Sequence, residues 1–329
     1  MKIAIVKLSA LGDIVHAMIA LQFIKAARPD VQIDWLVEEG FAALLADNPD
    51  IDRILTVNLK SLKTKQTGFF QELAKIKAYA TEAYDLVIDA QGLIKSALAA
   101  RLMSANCVGF DKDSIRETTA AWLYRNTVQC PYAANTIERN LTVLTQPLGI
   151  RVSNAQILEK QAFLFFQPPP QSLNDYLPYR QASVLFVIGS TWPSRNYPME
   201  KYLQVVNGLQ ANCLICWGSE QERRDAEWIA ARSAARVLPR LSLNDLKALL
   251  AKVDLVIGND TGPTHMAWGL NRPSITLFGP TPVSRVWQTD INKVLKSSSL
   301  VNPYKLDKND FSIAEIDAKA VIALAETLL

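Results

Sequence analysis

Histidine is scarce in this 329-residue chain, which has only His16 and His265. A histidine-rich metal site is therefore not expected. Cysteine comes next, with Cys107, Cys130, Cys213 and Cys216 spread along the chain. The last two form a C-x-x-C, a spacing that elsewhere serves redox or zinc chemistry, but no second pair follows at metal spacing. They lie in the apolar run "NCLICWG", which reads as a buried strand, so core packing is their expected role. No apolar run approaches the roughly 18 residues of a membrane span. The start, "MKIAIVKLSALGD", has too short an apolar stretch for a signal peptide, which predicts a cytosolic protein. Neither sign of charge dominates: 35 Lys and Arg stand against 32 Asp and Glu, and no nucleic-acid partner is expected. Neither G-x-G-x-x-G after a first strand nor G-x-x-x-x-G-K-[ST] occurs, which counts against a nicotinamide dehydrogenase and a P-loop enzyme.

What is present is a globular composition, 49% hydrophobic and 20% charged, in a chain longer than one core normally serves. Short β-rich runs alternate with helical apolar spacing: "KIAIVKL", then "GDIVHAMIALQFIKAARP", "QIDWLVE", "RILTVN" and "DLVIDAQ". The prolines Pro168 to Pro170 break this rhythm, and it restarts with "SVLFVIGS", "CLICWGS", "RVLP", "DLVIGN" and "SITLFGP". The pattern predicts an α/β protein with two Rossmann-like domains whose parallel sheets face a central cleft, as in a GT-B glycosyltransferase or a binding protein. The expected divisions are an N-terminal domain over 1–166, a proline-rich linker over 167–180 and a C-terminal domain over 181–329, whose last helix packs back on the first domain. Ligands of such sheets sit at the carboxyl ends of the strands. The loops to inspect therefore follow "KIAIVKL", "DLVIDA", "VLFVIG", "LICWG" and "DLVIG".

In "DLVIGNDTGPTHMAWGL", Asp260, Thr261, Gly262, Thr264 and His265 crowd a strand-to-helix junction. Thr261 can cap the helix, Pro263 suits its first turn, and Gly262 lets a ligand approach the backbone. Free N–H groups and the positive helix end make this an anion site suited to a diphosphate, or a well-capped helix with nothing bound. "GSTWPSRNYP" adds Ser190 and Thr191 as hydroxyl donors and Arg195 as a cation able to grip phosphate. In "WGSEQERRDAE", Glu222 can accept ribose hydroxyls or be an ordinary first-turn acid.

In the first half, "LSALGDIVHA" has Gly12 opening a turn and Asp13 beginning a helix. Asp13 reads either as a helix cap or as a general base at the end of the first strand, with His16 packing one turn on. "DAQGLIKSALAARL" brings Gln91 and Gly92 to a strand end and Lys95 to a first helical turn, where a cation opposes the dipole and so suggests a facing anion. Arg116 and Arg139 are candidates for the same surface. Lys60, Lys63 and Lys65, followed by Phe69 and Phe70, read as a solvated basic loop or as a dock for an anionic lipid or glycolipid at the membrane face.

With "KLSALGDIVHA", "VIDAQGLIKSA", "SRNYP", "WGSEQER", "GNDTGPTHMAWGL" and "TLFGPTPVSRVW" in order from Lys7 to Trp287, the chain resembles the lipopolysaccharide heptosyltransferases, a GT-B family using ADP-heptose. The resemblance implies inverting, metal-independent transfer of heptose from ADP-heptose to Kdo2-lipid A, without a cofactor, at the cytoplasmic face of the inner membrane. It assigns Asp13 as catalytic base. Asp260, Thr261, Gly262 and His265 match donor-phosphate and sugar contacts, with Ser190, Thr191 and Arg195 beside them and Glu222 at the ribose. Gly12, Gln91, Lys95 and Arg116 fall on the acceptor side, with Lys60 and Lys63. One departure stands out: the family usually has Lys-x-Trp-Pro where this chain has Arg195-Asn196-Tyr197-Pro198, which keeps the charge but not the shape. Asp50-x-Asp52 and Asp111-x-Asp113 resemble the metal-binding D-x-D of other transferases, but neither is expected to end a strand at the cleft. The rival readings are a family member acting on a heptose acceptor, disfavoured by "DAQGLIKSA", and a non-catalytic nucleotide-sugar binder.

Overall fold

Strands this short and this apolar need cover on both faces, and a helix after each one forces the next strand to lie parallel. The computed structural model describes residues 1–59 and 68–329. The chain divides into two units, Met1–Phe165 and Phe166–Leu329. In the first unit, β1 (Lys2–Val6), β2 (Gln32–Glu38), β3 (Arg53–Val57), β4 (Leu86–Asp89), β5 (Cys107–Phe110) and β6 (Asn126–Val128) pair in the order β3-β2-β1-β4-β5-β6. All these pairings are parallel, with Ile3 of β1 in register with Ile33 and Leu86. Helices α1 (Leu11–Ala27), α2 (Ala42–Leu45), α3 (Phe69–Tyr79), α4 (Ile94–Met103), α5 (Thr136–Thr145) and α6 (Asn154–Leu158) complete this unit.

The second unit repeats the plan. Its strands β7 (Ser183–Val187), β8 (Asn212–Cys216), β9 (Arg236–Val237), β10 (Leu255–Asn259), β11 (Ser274–Phe278) and β12 (Asn292–Lys296) pair in the order β12-β11-β10-β7-β8-β9, again all parallel. Its helices are α7 (Met199–Gly208), α8 (Glu220–Ala230), α9 (Leu243–Leu250), α10 (Gly262–Gly269) and α11 (Ala318–Glu326). Counted from its own first strand, each sheet has the doubly wound Rossmann order, and the order reverses between β1 and β4 and between β7 and β10. Those two points are where a ligand crevice belongs.

Three strands escaped the sequence pattern, each for a physical reason. β5 is four residues long and contains a glycine, β6 is "NTV" with two exposed polar residues, and β12 is a lysine-flanked edge strand, "NKVLK". The proline-rich segment holds a 3-10 turn, Gln171–Tyr176, fastened to the second unit. There Asn212 Nδ2 donates to the Tyr176 carbonyl at 2.7 Å and Lys252 Nζ to Asn174 Oδ1 at 2.9 Å. The last helix, α11, lies against α7 and β11, with Val321 and Ala325 buried in the second unit's own core.

Candidate active site

At the switch point between β7 and β10, Asp260 follows β10 and is 1% exposed. Its Oδ1 lies 2.9 Å from His265 Nε2, one turn into α10. Its Oδ2 lies 3.1 Å from Arg195 Nη2 and 3.9 Å from Arg285 Nη1. Burial pushes this carboxyl up, but Arg285, the His265 hydrogen bond and Arg195 outweigh it and hold the group well below the usual carboxylate range. Two guanidiniums on one carboxylate leave a net positive cluster beside the N-terminus of α10. Thr261 occupies the N-cap with extended backbone, but its hydroxyl does not cap the helix, and Pro263 sits in the first turn. The first-turn N–H groups and the cluster thus present positive potential at the same strand end.

Asn259 fastens this corner. Its Oδ1 accepts from the Tyr197 N–H and the Tyr202 hydroxyl, both at 3.0 Å, while its Nδ2 donates to the Ile188 carbonyl at 2.7 Å. The loop after β7 is thereby tied to the end of β10. Tyr197 is buried edge-on against Tyr202, and its hydroxyl donates to the Ile316 carbonyl at 2.9 Å. Ser190 donates to Asn196 Oδ1 at 2.7 Å, bracing the same loop, and Thr191 is exposed. Arg195 also lies over the Trp192 ring, 5.5 Å from its centroid. Glu222, at the start of α8, accepts from the Gly218 and Ser219 N–H groups at 2.7 and 3.3 Å. Its carboxylate covers Gly189, where an added Cβ would come within 2.2 Å of it, so any larger residue there would displace the Glu222 side chain.

At the switch point between β1 and β4, Asp13 lies in the third position of α1, and its Oδ2 accepts from the Ala10 N–H at 3.2 Å. The helix begins at Leu11, two residues earlier than expected, which makes the carboxylate part of its own helix cap. Gln91 Oε1 accepts from both the Leu8 and Ser9 N–H groups at 3.1 Å, tying the β4 loop to the loop that presents Asp13. Buried Lys7 crosses the same gap and donates to the Ala90 carbonyl at 2.7 Å. Burial pulls its pKa down, partly opposed by the Asp13 and Asp89 carboxylates. Asp89 itself is buried and accepts from the Gln91 and Gly92 N–H groups, Ser96 Oγ and Tyr124 Oη. Lys95, in the first turn of α4, finds an anion within its own unit: its Nζ is 3.8 Å from Glu38 Oε1.

Residues 73–309 match the sequence profile of glycosyltransferase family 9 (heptosyltransferase). Across the whole chain and 99% of the relative, it is 34% identical to lipopolysaccharide heptosyltransferase 1 of Campylobacter coli. It is also 34% identical to that of Pseudomonas aeruginosa, over 85% of this chain and 79% of the relative. The chain belongs to glycosyltransferase family 9. Among solved structures, it is similar to E. coli heptosyltransferase WaaC with ADP-2-deoxy-2-fluoro heptose, with TM-score 0.79 and 26% identity over 99% of both chains. The protein is thus a heptosyltransferase of lipopolysaccharide core biosynthesis, built from the two Rossmann-like units of the GT-B class.

Not every candidate residue of this heptosyltransferase lies with the others. Arg139 does not add to an open cationic surface: its guanidinium donates to the Cys130, Pro131 and Ser114 carbonyls and stacks on Phe110, 4.8 Å from the ring centroid. Arg116 is exposed, and Lys60, Lys63 and Lys65 lie outside the described residues. Asp111 of the second D-x-D directly follows β5 and accepts a hydrogen bond from Ser114. All four cysteines are buried, and burial pushes the Cys213 thiol up to about 11 and that of Cys216 to about 12. Arg285 and Lys7 were not singled out from the sequence. Arg285 stands in the "PTPVSRVW" segment, whose arginine was the available signal, and Lys7 directly follows the apolar strand β1.

Proposed function

We propose that this heptosyltransferase transfers heptose from ADP-heptose to a Kdo hydroxyl of Kdo2-lipid A, with inversion and without a metal. The observation that carries the donor assignment is the cationic corner after β7, β10 and β11, where Arg195 and Arg285 flank Asp260 at the mouth of α10. Such a corner suits a diphosphate, and the solved E. coli relative was crystallised with an ADP-heptose analogue. Glu222 takes the ribose, while Ser190, Thr191, Thr261 and Gly262 line the donor. The first unit takes the acceptor, with Gly12, Gln91, Lys95 and Arg116 around Asp13.

The chemistry is a single displacement. The acceptor O–H proton passes to the Asp13 carboxylate as the new O–C1 bond forms and the C1–phosphate oxygen bond breaks. ADP leaves from the opposite face of the sugar, and its added charge is met by Arg195, Arg285, His265 and the α10 N–H groups. Gln91 and Lys7 hold the backbone before Asp13, so the base is presented from a fixed loop rather than a mobile one. The acceptor being a lipid, the enzyme works as a peripheral protein on the cytoplasmic face of the inner membrane.

ADP release from ADP-heptose and Kdo2-lipid A in excess EDTA tests this reading, and Asp13→Ala lowers the rate by about 100- to 10,000-fold, the usual weight of a general base. Full activity of that variant would remove Asp13 from the mechanism. ADP release only with a heptose-bearing acceptor would assign the enzyme to the next transfer instead.

A further inference from the structure

On the first unit, α4 turns a partly apolar stripe outward. Ile94 is 48% exposed and Leu98 38%, with Arg101 completing the i, i+4, i+7 line. The 3-10 segment Thr118–Leu123 packs alongside this helix and carries Trp122, which is 80% exposed. Glu117 ties the two together at one end, where its Oε2 accepts from the Ile94 N–H at 2.7 Å. At the other end, Arg101, Trp122, Leu123 and Arg125 share a recess of about 440 Å³. From Ile115 to Thr127 the chain carries Arg116, Glu117 and Arg125, and the acid is the residue held on the α4 backbone. The outcome is a surface of three large apolar side chains edged by the exposed guanidiniums of Arg101, Arg116 and Arg125.

A tryptophan left in water costs favourable burial, and arginines set around it select a negative partner. An indole beside cationic side chains suits the headgroup level of a bilayer, where the ring enters the acyl boundary and guanidiniums meet lipid phosphates. We infer that the face formed by α4 and Trp122 docks the enzyme on an anionic lipid bilayer, with Trp122 as the inserted anchor and Arg101 and Arg125 as the phosphate contacts. The inference rests on the reading that the acceptor is a membrane-held lipid.

Sedimentation of the full-length protein with phosphatidylcholine vesicles, with and without phosphatidylglycerol, tests it. Binding to the anionic vesicles is expected to fall about tenfold in Trp122→Ser, from the apolar surface no longer buried. The double variant, Arg101→Gln with Arg125→Gln, is expected to lose about thirty-fold, at roughly fivefold for each basic residue near an anionic surface. ADP release with a deacylated, water-soluble acceptor stays unchanged in both variants. Anionic-vesicle binding equal to wild type in both variants would overturn the assignment, and so would a loss of transfer to the soluble acceptor. Should the wild type transfer to no acceptor while vesicle binding still depends on Trp122, the docking surface stands and the acceptor assignment falls.

Discussion

Asp260 is the residue on which the cationic corner is built, and Asp260→Asn isolates its charge while keeping its shape. The wild-type carboxylate is buried and faces Arg195 at 3.1 Å, His265 at 2.9 Å and Arg285 at 3.9 Å. Removing one partner of a buried ion pair costs about 3–5 kcal/mol, because the other charge is left uncompensated. Arg285 is a third exposed and can rehydrate, which places the expected loss at the low end, about 3 kcal/mol. For a unit of this size that is a fall of roughly 6–12 °C in Tm. The carboxyl's folded pKa lies well below its unfolded value of about 3.9, so its stabilisation is complete above that value. It is lost only as pH falls below the ordinary carboxylate range toward the folded pKa. Thermal melts of both proteins by calorimetry from pH 8 to pH 3 should therefore show a gap that stays level down to about pH 5 and narrows only below about pH 4. In parallel, ADP should bind the variant more weakly, since Asp260 holds both arginines in place. A variant that melts with the wild type at neutral pH would refute the view that this carboxylate neutralises the corner. A gap that closes between pH 8 and pH 5 would assign the effect to another group.

Gly189→Ala places a Cβ within 2.2 Å of the Glu222 carboxylate and should drive it off the Gly218 and Ser219 N–H groups. If Glu222 holds the ribose, ADP affinity falls about tenfold in both Gly189→Ala and Glu222→Gln, the weight of a hydrogen bond to a charged group; affinities equal to wild type by calorimetric titration would leave Glu222 as a cap alone. Buried Lys160 has its pKa pulled down to about 7 by desolvation, so the unfolded chain binds the extra proton between about pH 7 and 10.4. Its burial therefore costs most below pH 7 and least at high pH. Lys160→Met should raise Tm by several degrees at pH 6 and by little near pH 10, and a gain independent of pH would show that the new side chain's packing, not the lost charge, is responsible.

The alternation of strands and helices was legible because each local segment states its own period, and the proline run marked where the first series ends. Strand order was not legible, since pairing is set by contacts between distant segments. Yet that order gives the motifs their meaning. Ser9 and Gln91 stand 82 positions apart, and they are hydrogen-bonded because β1 and β4 are neighbours at the reversal. Arg195 and Arg285 end up on the Asp260 carboxylate because β7, β10 and β11 are consecutive in their sheet. A reading confined to single loops could rank Asp260 as a phosphate contact, but its arginine partners depend on that adjacency. Arg285 shows the consequence: its motif was visible, and its role was not, because nothing in "PTPVSRVW" says which carboxylate lies one strand away.

The same adjacency shows how a cationic corner forms without the glycine fingerprint. In the usual Rossmann turn, glycines after the first strand bring the pyrophosphate to the following helix. Here the turn after β7 carries Ser190, Trp192 and Arg195 instead, and the helix beside the cationic corner is α10, after β10. If this corner takes a diphosphate, positive charge from two side chains stands in for close backbone approach. A test follows from the difference. Replacing Arg195 by Lys keeps the charge but leaves it on a flexible stem without a fork. Because Tyr197 and Asn259 fix the loop independently of Arg195, the fold should tolerate the change. ADP affinity should then drop by about tenfold or more, roughly one hydrogen bond to a charged group, while Tm stays within a few degrees. Unchanged affinity would mean that only the charge at this position matters, and that the Arg195 fork has no part in gripping the diphosphate.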